Sequence, residues 1–176
     1  MNKSVIIIVL VVLAALSVLF FTQTKSEKVK APSIQSPVSA TPVIEKAEMT
    51  DYQASFAIFT NGTFRIFTAP MYHNQSEDVF IQADNPYVIH VKKSGTTWDD
   101  FFKTLPFKLT KDCLTTGTGQ TFCSDDNGKL RFYLNGKEDP SALDKEINAG
   151  HRLLVTYGNE NEQQIQEQLQ KIPVVK

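Results

Sequence analysis

Hydrophobic and polar positions change their pattern five times along the chain. From Val5 to Phe21 every residue is uncharged and nearly every one is apolar. At about 1.5 Å of rise per residue this run makes about 25 Å of helix, the short end of what crosses a bilayer. It has no polar face, so it does not read as a helix packed at the surface of a soluble core. Residues 23–50 then carry Pro32, Pro37 and Pro42 among Ser, Thr, Gln, Ala, Lys and Glu, with no apolar period. That composition predicts a solvated tether with a mean span of about 30 Å. From residue 51 onward the apolar positions become periodic, first at strand spacing, then at helix spacing, then at strand spacing again.

In the first block, Ser55–Thr60 and Thr63–Phe67 are rich in aromatic and β-branched residues and flank Asn61-Gly62. Asn-Gly suits the two positive φ angles of a type I′ turn, so this stretch predicts a β-hairpin. Val79–Ile81 and Tyr87–Val91 read as two more strands, separated by the turn-forming Asp84-Asn85-Pro86. Trp98, Phe101, Phe102 and Leu105 then follow at i, i+3, i+4 and i+7, which is one face of a helix. Thr97 and Asp100 stand at capping-box spacing, Asp99 and Asp100 complement the dipole, and Pro106 ends the segment. The four large side chains predict burial against a sheet, with Trp98 read as a core residue. Strands resume at Phe107–Leu109, Leu130–Leu134 (closed by Asn135-Gly136) and Leu153–Tyr157 (closed by Gly158). A terminal helix capped within 159–162 places Ile165, Leu169 and Ile172 on one side and Gln and Glu on the others. The expected fold is therefore α+β: a mixed, β-grasp-like sheet on one central helix, with an N-terminal transmembrane helix and a C-terminal helix. The expected organisation is an anchor at 1–22, a flexible linker at 23–50 and a domain at 51–176.

An uncleaved signal-anchor is the expectation for residues 1–22. A cleaved signal peptide is its main competitor, but the apolar run is long and Thr22–Lys25 makes a poor cleavage site. Lys25, Lys28 and Lys30 outweigh Lys3 on the positive-inside count. The very short head before the apolar run, and the composition of the remainder, point the other way. The adopted expectation is a single pass through the cell membrane with the domain outside the cytoplasm.

Charge narrows the partners. From residue 51 onward, thirteen Lys and Arg face sixteen Asp and Glu. A mildly acidic domain gives no reason to expect nucleic-acid binding. The expected partners are the membrane, through the N-terminal helix, and a protein or small ligand that the sequence does not identify.

Three segments carry a resemblance. Gly95-Thr-Thr-Trp-Asp-Asp-Phe-Phe102, Phe132-Tyr-Leu-Asn-Gly-Lys137 and Arg152-Leu-Leu-Val-Thr-Tyr-Gly-Asn-Glu160 resemble, in order, a largely uncharacterised family of membrane-anchored prokaryotic extracytoplasmic proteins. The likeness spans about residues 52–172. More loosely, the helix start and the Asn-Gly-Lys strand end are similar to transcobalamin C-terminal-like β-grasp modules. The resemblance implies an anchored β-grasp-like module and does not imply an activity. Members of the anchored family often carry several histidines in the segment corresponding to 79–93, where this chain has His90 alone.

The residues offer little chemistry beyond this. Cys113 and Cys123 are the only cysteines. In an oxidising compartment they would pair across the base of the 114–122 excursion, which its composition marks as flexible. A redox-active pair is a competing reading, although reactive thiols of that kind typically sit in C-x-x-C. Two free thiols, or a pair of metal ligands, complete the range of states open to them. His73, His90 and His151 show no metal-ligand spacing, and His90 is only a weak metal candidate. Thr116–Gly119 is Gly-rich but lacks the P-loop lysine and its helix. No catalytic residue and no cofactor is expected. The leading function is a membrane-tethered, non-catalytic binding module. Two functions compete with it: thiol–disulfide exchange by Cys113 and Cys123, and metal binding centred on His90.

Overall fold

The computed structural model describes residues 49–175, so the expected anchor at 1–22 and all but the end of the expected linker lie outside the described residues. The chain opens with one twelve-residue strand, β1 (Met49–Thr60), which starts two residues before the expected domain boundary. Along it Ala54, Phe56 and Ile58 point to one face and Ser55, Ala57 and Phe59 to the other, and all six are buried. A strand buried on both faces needs neighbours on both edges and layers on both sides, and β1 has them.

The strands that follow are β2 (Thr63–Phe64), β3 (Val79–Ile81), β4 (Val88–Lys93), β5 (Lys108–Leu109), β6 (Cys113–Thr115), β7 (Thr121–Cys123), β8 (Lys129–Leu134), β9 (Lys137–Glu138) and β10 (Arg152–Gly158). The main sheet runs β3-β4-β1-β10-β8-β9, with β2 beside the end of β1. At its centre β1 and β10 are parallel, from Ser55↔Arg152 to Thr60↔Tyr157. Every other pairing in the sheet is antiparallel. A second, small sheet runs β5-β6-β7.

The two helices lie on opposite faces. Helix α1 (Trp98–Thr104) buries Trp98, Phe101 and Phe102 together with Phe56, Ile58, Phe132, Leu153 and Val155. Phe101 and Phe102 meet Phe56 edge-on, with ring centroids at 5.3 and 5.8 Å. Its capping box is complete: the Asp100 N–H donates to Thr97 Oγ1 at 3.1 Å, and the Thr97 N–H donates to Asp100 Oδ2 at 3.0 Å. Those Thr97 donors hold the Asp100 carboxyl below its ordinary value. Helix α2 (Glu162–Leu169) covers the other face, where Ile165 and Ile172 join Ala57, Phe59, Tyr133 and Leu154. Arg152 Nη2 donates to the carbonyl of Leu169, the last residue of the helix, at 2.9 Å and to that of Ile172 just beyond it at 2.8 Å, a favourable place for a cation. The result is a mixed α+β fold dominated by sheet. Among the described residues no helix is long and apolar enough to cross a membrane.

The expected hairpin is the main departure. Asn61 and Gly62 do take φ of +49° and +72°, as a type I′ turn requires. The returning strand, expected over Thr63–Phe67, stops at Phe64. The Arg65 N–H still donates to the Ile58 carbonyl, but the Phe56 N–H donates to the Tyr87 carbonyl. The edge of β1 is thus taken over by the chain entering β4, and Ile66 and Phe67 must leave the sheet.

Candidate ligand groove and the disulfide hairpin

Where that segment leaves the sheet it forms one wall of a groove. Phe67 turns inward to 4 % exposure, while its neighbour Ile66 stays 66 % exposed. Two large apolar residues in succession cannot both face one side of an extended chain, so one of them is left on the surface. Phe67 packs edge-on against Tyr72 at 5.1 Å. His73 Nε2 donates to the Phe67 carbonyl at 2.9 Å and ties down the loop. Pro70 opens a short 3₁₀ turn, Pro70–Tyr72, which holds Met71 outward at 51 % exposure.

The opposite wall is the small sheet. Cys113 and Cys123 lie directly opposite one another on β6 and β7 and are joined, with Cα atoms 4.1 Å apart. The 114–122 excursion, expected to be flexible, is itself a hairpin. Thr115 Oγ1 and Thr121 Oγ1 are hydrogen-bonded across it at 3.1 Å, and Gly119 turns it with φ of +86°. Its tip rests on the segment that follows α1: a Cβ on Gly117 would stand 2.9 Å from the Pro106 carbonyl oxygen, so only glycine lets the wall sit this close.

Between the walls lies a cavity of about 480 Å³, lined by Ile58, Phe64, Ile66, Met71, Phe107 and Leu114 together with Thr63, Thr116 and Thr118. Arg65 is the one charged lining residue among those described. Its Nε donates to Thr60 Oγ1 at 2.6 Å, and its Cζ stands 5.2 Å from the centroid of the Phe122 ring on the disulfide hairpin. That geometry is a cation–π contact joining the two walls. None of the ion pairs among the described residues includes Arg65.

The remaining candidates fall elsewhere. His90, on β4, is half-buried and stacks on Phe80 with centroids 5.2 Å apart and planes 10° from parallel. Its partners across the sheet are Gln53 and Phe80, neither a metal ligand. Among the described residues no group of three or more His, Cys, Asp or Glu side chains is placed to hold a metal ion. His151 Nδ1 accepts from the Asn148 N–H at 3.2 Å, and burial pushes its pKa down. Trp98 is fully buried and belongs to the core. The structure places Cys113 and Cys123 in the hairpin that walls the groove, where neither lines the cavity itself, and His90 is not among the lining residues either. The sequence pattern does not assign a site to Ile66, Met71 and Arg65, although the adjacent Ile66-Phe67 pair, which breaks strand alternation, marks the place.

Comparison with family models, curated proteins and solved structures finds no match to this chain.

Proposed function

We propose that this chain is a membrane-tethered binding module whose extracytoplasmic domain takes a ligand with an apolar body in the groove beside the disulfide hairpin. The observation that carries the reading is the exposure of Ile66 and Met71 on the rim of a cavity of about 480 Å³. Small-molecule sites fall in the range of roughly 300–1,000 Å³, mostly apolar with few polar groups, and this groove has that size and character. Large apolar side chains left in water cost free energy that a ligand's apolar surface would recover.

The rest of the reading has its own supports. The sheet order β3-β4-β1-β10-β8-β9, with the parallel β1·β10 pair at its centre and α1 on one face, supports a β-grasp-like module. So does the resemblance of Gly95–Phe102, Phe132–Lys137 and Arg152–Glu160 to anchored prokaryotic modules of that kind. The paired Cys113 and Cys123 support a domain held in an oxidising compartment. The apolar run Val5–Phe21 supports the tether.

The test is a titration of the full chain in phosphatidylcholine nanodiscs with 4-phenylbutan-1-ol, a neutral molecule with an aryl body, followed on isoleucine and methionine methyl groups by NMR. Saturable shifts at Ile66 and Met71 are expected. Ile66→Asp should weaken the binding by about tenfold or more, by placing a charge on the apolar wall, with no loss of the folded spectrum. Shifts spread evenly over the methyl groups, or none at all, would overturn the groove as the binding site.

A further inference from the structure

The groove's charge pattern says more than its shape. Its lining is aliphatic and aromatic except for three threonines, a glycine and one cation, Arg65. A guanidinium is always charged and carries five N–H donors in a planar fork. Arg65 spends one of them, Nε–H, on Thr60 Oγ1. Among the described residues the Nη1–Nη2 edge has no protein acceptor and no carboxylate facing it. That edge is suited to bind a planar carboxylate through two parallel hydrogen bonds. The contact with Phe122 and the bond to Thr60 hold the fork in place, so little side-chain entropy is lost when it engages. A site with apolar walls and one fixed, unpaired cation complements a molecule that is apolar at one end and anionic at the other.

We infer that the ligand is a small amphipathic carboxylate, with its aryl or alkyl body against Phe64, Ile66 and Met71 and its carboxylate on the free edge of Arg65. This rests on the groove being the binding site. Arg65 sets the specificity for charge, and the apolar wall supplies binding common to acids, alcohols and amines of the same shape.

The decisive experiment compares 4-phenylbutyrate, 4-phenylbutan-1-ol and 4-phenylbutylamine on the full chain in phosphatidylcholine nanodiscs at neutral pH, again by methyl NMR. The acid should bind about tenfold or more tighter than the alcohol, because only a carboxylate brings an opposite charge and accepts two parallel hydrogen bonds from the fork. The amine should bind more weakly than the alcohol. In Arg65→Met the preference for the acid over the alcohol should disappear, the two then binding alike. In Arg65→Lys, which keeps the charge without the fork, part of the preference should return. An acid no tighter than the alcohol in the native chain overturns the carboxylate assignment while leaving the groove intact. A preference that survives in Arg65→Met overturns the role of Arg65. If none of the three molecules shifts Ile66 and Met71, the groove itself is refuted. The three-ligand series needs no substitution, so a variant that fails to fold leaves the inference testable.

Discussion

Phe102 shows how much one position can hold. It is 2 % exposed and lies among four other rings: Trp98 at 6.3 Å, Phe101 at 5.0 Å, Phe56 at 5.8 Å and Phe107 at 6.0 Å between centroids. Replacing it with alanine removes the ring and leaves a hole that this aromatic cluster, drawn from the sheet, the helix and the segment after it, cannot close. Phe102→Ala is expected to cost about 3–5 kcal/mol in urea melts, and a loss below about 1 kcal/mol would show that the site collapses or was never tightly packed. The i, i+3, i+4, i+7 spacing identifies Trp98, Phe101, Phe102 and Leu105 as one buried face, and all four are buried. Helical periodicity is a local property of a short run of residues, so it is readable without the partner surface. The converse case is Ile66: the sequence shows that Ile66-Phe67 breaks alternation but not which of the two is left outside.

At the scale of the element, legibility follows the density of apolar and capping signals more than length: β3, only three residues long, is readable from Val79-Phe80-Ile81. Helices α1 and α2 are announced by period and by caps, and both capping boxes form, Thr97 with Asp100 and Asn161 with Gln164. Strands β6, β7 and β9, of two or three residues each, are too short to show any alternation, and the pattern of apolar positions gives no sign of them. The disulfide hairpin built from two of them is the element that walls the groove. Cross-linking residues ten apart in sequence restricts the unfolded chain by about 2–3 kcal/mol on the chain-entropy argument. Oxidised protein is therefore expected to weigh two hydrogens less than the reduced form and to take no alkylating label before reduction. Reduction should lower the melting temperature and leave the far-ultraviolet circular dichroism of the main sheet in place. Prompt labelling of both thiols in protein taken from its native compartment would sink the pairing, and with it the support for a domain outside the cytoplasm.

For the whole molecule, the question is whether residues 49–176 are self-sufficient. Among the described residues both cores draw on positions from Tyr52 to Ile172: one under α1 around Phe56, Trp98 and Phe132, the other under α2 around Phe59, Leu154 and Ile165. The C-terminal segment is tied in as well, since Ser55 Oγ donates to the Pro173 carbonyl at 2.7 Å. A fragment beginning at Met49 is thus expected to be soluble and to unfold cooperatively when followed by circular dichroism. Aggregation or a featureless melt would mean that residues before Met49 complete the fold.

What the sequence determined by itself is what neighbouring residues decide among themselves. Asn61-Gly62 takes the positive φ angles of its turn, Thr97 and Asp100 cap α1, and Ile165 and Ile172 face one way from the C-terminal segment. These depend on backbone sterics, on hydrogen bonds within one turn and on the period of apolar side chains. The tertiary structure decided which strand edges meet. β1 and β10 are parallel neighbours far apart in the chain, and the segment at Tyr87 displaces the end of the predicted hairpin from the edge of β1. A strand edge can accept one partner at each position, and the choice among partners is set by the packing of both sheet faces, not by the residues of the losing strand. The groove is a consequence of that competition. Ile66 and Met71 stand open to solvent, with Arg65 beside them, because Phe67 is buried, β4 holds the edge, and the disulfide hairpin closes the other side.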